Sequence, residues 1–136
     1  MNETTDRSLR LEVAADPSAP AVIHAELRRW LAREGVRGWV VDDLLVASDE
    51  ICFETILMPT VTRIEVHASL HDGIIHMDVT SDRRLRRELR MVPWVTGLEV
   101  VDDLSPELGL AYQVADTFAV RTFPDHTTVE LTKVLG

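Results

Sequence analysis

Along the first part of the chain, the spacing of hydrophobic and polar residues changes once, from strand-like to helix-like. Residues 9–14 alternate apolar and polar side chains, which indicates a strand of a half-buried sheet. After a break at DPSAP, apolar side chains recur at near-helical spacing in two stretches separated by Gly35 and Gly38. The pattern therefore predicts one strand followed by two helices, at about 20–34 and about 40–57.

The second part of the chain has the pattern of two hairpins with one helix between them. TRIEVHASL (62–70) and GIIHMDVT (73–80) flank a short HDG turn, which is typical of a β-hairpin. A third helix is predicted at about 107–116. FAVRTF (118–123) and TTVELTKVL (127–135) then form a second predicted hairpin across PDH.

The order of these elements, β-α-α-β-β-loop-α-β-β, predicts an α+β fold. Two helices before one hairpin and a third before another favour a two-layer α/β sandwich, with a mostly antiparallel sheet and the helices on one face. A chain of 136 residues suits one domain, so residues 1–136 are predicted as a single unit. Residues 1–8 are a candidate disordered segment, and the irregular stretch 90–107 is a candidate lid.

Composition and charge narrow the classes of protein to consider. The chain is 46% hydrophobic and 27% charged, as in a soluble globular domain. No apolar run approaches the roughly 20 residues of a membrane span, and the N-terminus lacks an apolar signal core, so we expect a cytoplasmic protein. The net charge of −9 disfavours nucleic acid and anionic membrane as partners and favours a basic protein surface.

The cysteine, histidines and tryptophans give little sign of a cofactor site. Cys52 is the only cysteine, lies in an apolar helical pattern, and is interpreted as a small buried hydrophobe. The five histidines form no metal-ligand pair with it, so a zinc site is not expected. Trp30, Trp39 and Trp94 are predicted to be core or packing residues, with Trp94 the most exposed.

Three stretches carry a resemblance to a known family: LLVASDEICFETIL, GIIHMDVTSDRRL and SPELGLAYQVAD. In this order they resemble the small anti-sigma-factor kinases of the Bergerat-type, histidine-kinase-like ATPase superfamily. The resemblance runs from about Leu11 to Leu135. It implies the Bergerat fold, serine kinase activity that uses ATP and Mg²⁺, a sigma factor or its antagonist as partner, and homodimers in many members.

Several residues fall at the family's functional positions. Glu50 matches the glutamate that orients an attacking hydroxyl, and Glu54 stands where the family has the asparagine that holds Mg²⁺. Asp82 lies one position from the aspartate that binds the adenine amine. Gly109 and Leu110 match the opening of the helix that receives phosphates. Plainer interpretations remain open: a surface charge for Glu50, a solvated or arginine-paired Glu54, and a helix-start glycine at position 109.

The departures from the family pattern predict a degenerate nucleotide site. Where the family has Asp-x-Gly, the chain has Ser81, Asp82 and Arg83, so the glycine that lets the backbone approach the base is missing. Glu107 places a carboxylate where phosphates would be received. The Glu54 carboxylate can still ligate Mg²⁺, so that change alone is not decisive. Together these changes predict that ATP binding is lost.

The sequence supports three functional interpretations. The first is an anti-sigma-type regulatory protein, a pseudokinase that acts in transcription regulation by protein binding and has no cofactor. The second is an active serine kinase that phosphorylates an anti-sigma antagonist, with Glu50 as base and Mg²⁺ at Glu54. The third is a degenerate domain that binds another small ligand in the remodelled pocket.

Under the first interpretation the partner is a sigma factor or its antagonist, and the chain could also form a homodimer. Candidate contacts with a basic partner lie around Glu26 and Arg29 on the first helix, and at Asp42 and Asp43 on the second. Charge complementarity of this kind chiefly raises the association rate and weakens with salt.

Overall fold

The computed structural model describes residues 7–58, 60–82 and 108–136, which form a five-stranded antiparallel sheet and three helices. The predicted α+β fold class is confirmed. The elements, in chain order, are β1 (Ser8–Ala14), α1 (Ala19–Arg33), α2 (Trp39–Ile56), β2 (Arg63–His71), β3 (Ile74–Ser81), α3 (Gly109–Val114), β4 (Thr117–Thr122) and β5 (Thr127–Val134).

The sheet has the strand order β1-β2-β3-β5-β4, and every neighbouring pair is antiparallel. The two predicted hairpins are β2–β3 and β4–β5, and β5 joins them by pairing with β3. β1 pairs with β2 and forms one edge of the sheet. Of the candidate disordered segment 1–8, Ser8 is the first residue of β1, and residues 1–6 lie outside the described part.

One face of the sheet is buried beneath α1 and α2. In β2 alternate residues from Ile64 to Leu70 are buried, because successive side chains of a strand point to opposite faces. From the helices, Leu27 of α1 and Ile51 of α2 are fully buried in the same apolar layer. Truncating one such side chain to alanine costs about 2–5 kcal/mol of unfolding free energy.

Lys133 fastens both α2 and α3 to the sheet. Its Nζ atom lies 2.9 Å from Asp43 Oδ2 of α2 and donates a 2.6 Å hydrogen bond to the carbonyl of Val114, the last residue of α3. A cation at the carboxyl end of a helix interacts favourably with its unsatisfied carbonyl groups. The side chains of Lys133 and Asp43 are 16% and 31% exposed, so these contacts are partly shielded from solvent.

The helices begin and end within two residues of the predicted positions. α3 stops at Val114 instead of residue 116, because the backbone at Ala115 is extended, with φ −84° and ψ 150°. The predicted first residue of this helix, Glu107, lies outside the described residues, as does the candidate lid 90–107.

The tryptophans divide between the core and the surface. Trp30 is 1% exposed, as predicted, whereas the prediction that Trp39 is a packing residue is wrong, since it is 80% exposed. Val40 takes the first inward position of α2, and the side chain of its neighbour lies about 100° away around the helix, facing solvent. Trp94 lies outside the described residues.

A matched pair of glycine substitutions tests the β2–β3 turn. Asp72 and Gly73 have φ of 53° and 74°, the positive values that a two-residue hairpin turn requires. We expect Gly73→Ala to lower the unfolding free energy by roughly 1 kcal/mol, because an L-residue is strained there.

Gly109→Ala is the control, since a Cβ at either glycine meets no atom within 4 Å and only Gly73 has positive φ. We expect this second change to be neutral or to stabilise the protein by up to about 1 kcal/mol. Urea unfolding of both variants measures the difference, and equal effects would contradict this account of the turn.

Candidate functional site

The adjacent carboxylates Asp49 and Glu50 on α2 bind two different helices. Both oxygens of Asp49 lie 3.1 Å from Nδ1 of His24 on α1. Glu50 instead faces α3, because neighbouring residues of a helix point about 100° apart. These two neighbouring acidic residues, of which Glu50 is the predicted catalytic one, thus make separate structural contacts.

Glu50 accepts hydrogen bonds from the backbone at the beginning of α3. The amide of Ala111 donates to Oε1 at 2.7 Å, and the amide of Leu110 donates to Oε2 at 3.2 Å. The first amide groups of a helix have no partner within the helix, and an anionic side chain there is favourable. Two amide groups at the predicted phosphate-receiving helix opening, which includes Gly109, therefore already have an acceptor.

Glu54 and Ser81 line a narrow cleft between α2, the sheet and the start of α3. Ser81 is the last residue of β3 and is 6% exposed. The volume open to the centre of a water molecule is about 10 Å³, whereas small-molecule pockets are typically about 300–1,000 Å³. The described cleft lining comprises Ile51, Glu54, Thr55, Val79, Ser81, Leu108, Thr127 and Val129.

Asp82 binds the beginning of β2. Its Oδ1 atom accepts hydrogen bonds from the backbone amides of Thr62, at 2.8 Å, and Arg63, at 3.1 Å, while Oδ2 accepts one from the Thr62 hydroxyl. Partial burial by itself would raise the pKa of Asp82, but these hydrogen bonds outweigh burial and lower the pKa below its ordinary value. The carboxylate thus joins the end of β3 to the start of β2.

The structure brings some of the predicted site residues together and separates others. Glu54 and Ser81 share the cleft, and Glu50 binds the backbone at Leu110, whose side chain is 52% exposed. Asp82 is engaged with β2. Arg83 and Glu107, two of the departures that predict a degenerate site, lie outside the described residues.

Sequence reasoning missed Thr62 and His24 as partners of the acidic residues. The Thr62 contact could have been inferred from register, because Ser81 pairs with Ile64 in the hairpin and Asp82 therefore lies opposite Arg63. No comparable signal connects His24 with Asp49, which lies on a separate helix 25 residues away. That contact depends on how α1 and α2 pack.

The described residues give little support for a metal site or for a reactive thiol. Within residues 7–58, 60–82 and 108–136, no three His, Cys, Asp or Glu side chains are grouped so as to hold a metal ion. The interpretation of Cys52 as a buried hydrophobe is confirmed, since it is 0% exposed and burial raises the pKa of its thiol to about 12. In the same ranges, none of the helices has the length and apolar character that crossing a bilayer demands.

Comparison with known proteins shows the fold. No family model matches the chain, and no curated protein matches it. The chain is similar to the crystal structure of the RsbU and RsbW domains of Rv1364c from Mycobacterium tuberculosis, with a TM-score of 0.71 and 22% sequence identity. The match covers 94% of this chain and 32% of that one, so this chain spans about a third of its neighbour's length. The fold implied by the family resemblance is therefore present.

Two aspartates of the β2–β3 hairpin are expected to respond oppositely to neutralisation. Burial raises the pKa of Asp78, and repulsion by Glu130, opposite it on β5, raises it further, whereas the pKa of Asp82 is lowered. At pH 7 we expect Asp82→Asn to lower the unfolding free energy by about 1 kcal/mol, through loss of charge-assisted hydrogen bonds. Asp78→Asn should raise it, because a disfavoured charge is removed.

Both differences should depend on pH. The stability that Asp82 contributes is present above its unfolded pKa and is lost as the pH falls through its lower folded pKa. The cost of ionised Asp78 is full above its raised folded pKa and disappears as the pH falls toward its unfolded pKa. Urea unfolding at pH 7 and at about pH 3 measures both, and differences of the same sign at pH 7 would contradict the assignment.

Proposed function

We propose that this chain is a regulatory protein of the anti-sigma type that acts by binding protein partners and does not use ATP. The likeness in fold to a structure that contains an RsbW domain agrees with the resemblance to anti-sigma-factor kinases in the sequence motifs. The partner class under this proposal is a sigma factor or an antagonist of one.

The contact between Glu50 and α3 is the observation on which the absence of nucleotide use chiefly rests. An active kinase of this family would use the corresponding glutamate to orient a hydroxyl and the helix opening to receive phosphates. Here the same carboxylate accepts hydrogen bonds from Leu110 and Ala111 at that opening. A triphosphate entering there would have to displace a carboxylate and approach its negative charge.

Two further observations support the proposal that the chain does not use ATP. The cleft beside Glu54 and Ser81 has an open volume of about 10 Å³, which is close to the space one water molecule needs. Asp82, the residue nearest the adenine-binding position of the family, accepts hydrogen bonds from Thr62 and Arg63. Asp82 is therefore engaged with internal partners and Glu54 faces a narrow cleft, while Ser81 and Asp82 also line a wider open cavity of about 220 Å³.

The alternative is the serine kinase, with Glu50 as base and Mg²⁺ at Glu54. The position of both residues on α2, one helical turn apart, favours it, since Glu54 also lines the cleft beside the start of α3. ATP binding separates the two proposals directly.

Calorimetric titration of MgATP into the purified chain tests the proposal. We expect no binding tighter than millimolar, because the phosphate-receiving amides are occupied and the cleft is small. The variant Glu54→Asn restores the family's asparagine, and we expect it not to bind either, since the other obstacles remain. A known ATP-binding kinase of this fold, titrated under the same conditions, is the control.

Micromolar binding by the wild-type chain would restore the kinase interpretation. Clear binding by Glu54→Asn alone would show that this residue, and not the rest of the site, prevents ATP binding. Protein binding is tested separately, by surface-immobilised chain against the purified sigma factors and their antagonists from the source organism. Failure of all of these to bind would contradict the regulatory proposal.

The acidic contacts expected for a basic partner are mostly engaged within the chain. Glu26 Oε2 lies 2.8 Å from Arg29 Nη1 on the same helix, and Asp43 pairs with Lys133. Of these candidates only Asp42 is an exposed acidic residue for which the described residues provide no ion pair. A partner would therefore contact Asp42 or other charged side chains that form no ion pair with a described residue.

A further inference from the structure

The junction between α1 and α2 carries a concentration of exposed positive charge in an acidic chain. Arg28, Arg29, Arg33 and Arg37 occur within ten residues, although the net charge of the chain is −9. All four are exposed, and Trp39, which follows them at the start of α2, is 80% exposed. The arginine corner is defined here as Arg28, Arg33, Arg37 and Trp39.

The arginines of this corner differ from most cations of the described chain, because they form no ion pair with a described residue. Ion pairs are formed by Arg7, Arg29, Arg63, Arg121 and Lys133. The remaining described lysines and arginines are Arg10, Arg28, Arg33 and Arg37. Three of these four lie in the corner, so no described carboxylate forms an ion pair with its arginines.

Backbone hydrogen bonds close the turn that follows α1, between Arg33 and Arg37. The amides of Glu34 and Val36 each donate a 2.9 Å hydrogen bond back to the last turn of the helix, to the carbonyls of Trp30 and Leu31. Five residues lie between Arg33 and Trp39, so the corner is formed by neighbouring parts of the chain. The Glu34 carboxylate, which would otherwise reduce the local charge, is paired with Arg7 at 2.7 Å.

Tryptophan and arginine are the residues that most often dominate the energy of a protein interface. A tryptophan left in water contributes little, but its ring gains a large apolar area when a partner covers it. A guanidinium group can bind a carboxylate through two parallel hydrogen bonds. Acidic parts of a surface repel an acidic segment, so among the described residues such a segment is directed to a positive region such as this corner.

We propose that the arginine corner docks an acidic segment of a partner protein, with Trp39 covered by an apolar side chain of that segment. Arg28, Arg33 and Arg37 pair with its carboxylates. The proposal rests on the proposed function only in that the partner is a protein. It replaces the basic partner inferred from overall charge with one that is acidic where it touches this corner.

The experiment follows the indole N–H signal of Trp39 in ¹H–¹⁵N NMR spectra, with Trp39→Phe used to assign it. The probe is a synthetic ten-residue peptide of Glu, Asp and Leu, and the comparison peptide has Lys in place of each acidic residue. We expect only the acidic peptide to shift the signal, and the shift to decrease as salt rises. The indole signal of Trp30, which is buried, reports that the fold is intact.

The double variant Arg33→Glu with Arg37→Glu should weaken acidic-peptide binding at least tenfold, and the neutral pair Arg33→Gln with Arg37→Gln should weaken it less. Trp39→Ala, followed by intensity changes of backbone amides, should weaken it about tenfold, as loss of an aromatic anchor does. Arg10→Glu is the matched control, because Arg10 is also exposed and forms no ion pair with a described residue, but it lies on β1. We expect it to change the affinity less than about twofold.

Several outcomes would overturn the proposal. These are no shift with the acidic peptide, an equal shift with the basic peptide, or an equal loss of affinity in Arg10→Glu and in the corner variants. Tighter binding of a DNA duplex or of anionic vesicles than of the acidic peptide would assign the corner to another class of partner. Concentration-dependent shifts without any peptide would assign it to a second copy of the chain. None of these results depends on whether a sigma factor binds, so this proposal and the proposed function can fail separately.

Discussion

Burial of one face of the five-stranded sheet beneath α1 and α2 is the constraint from which the other features follow. Ile23, Leu27, Ile51 and Met77 are each fully excluded from solvent in this layer. Burying side chains of this size is worth about 1.5–3 kcal/mol each, which outweighs the polar contacts at the surface. Each helix is therefore rotated so that its apolar side faces the sheet. The direction of a polar side chain then follows from its position around the helix relative to that apolar side.

The positions of the carboxylates follow from this rotation. On α2, Ile51 and Cys52 are fixed inward, so Asp49 and Glu50 emerge on the two flanks of the helix. One flank faces α1 and the other faces α3. The resemblance to kinases predicts a catalytic role for Glu50, but a carboxylate that binds helix amides is also a structural element. The same atom type can serve either purpose, and the neighbouring backbone decides which it serves.

The elements were predictable from the sequence because their signals are local. Alternation identified the strands, and Asp72 and Gly73 identified the first hairpin turn. Residue type does not predict the solvent exposure of Trp39, since tryptophan is usually buried. Only the inward position of its neighbour Val40 shows that the Trp39 side chain faces solvent. The contact between His24 and Asp49 depends on how α1 and α2 cross. The spacing of hydrophobic residues in one sequence gives no information about that crossing. The contact of Asp82 with Thr62 is intermediate, because hairpin register alone suffices to infer it.

The divergent contacts of Asp49 and Glu50 have a mechanical consequence for α2. A roll of this helix about its long axis toward α1 would carry Glu50 away from the amide of Ala111, and a roll toward α3 would separate Asp49 from His24. Lys133 restrains the same helix one to two turns earlier, through Asp43. Rotation of α2 about its axis in either direction therefore breaks one of these two contacts.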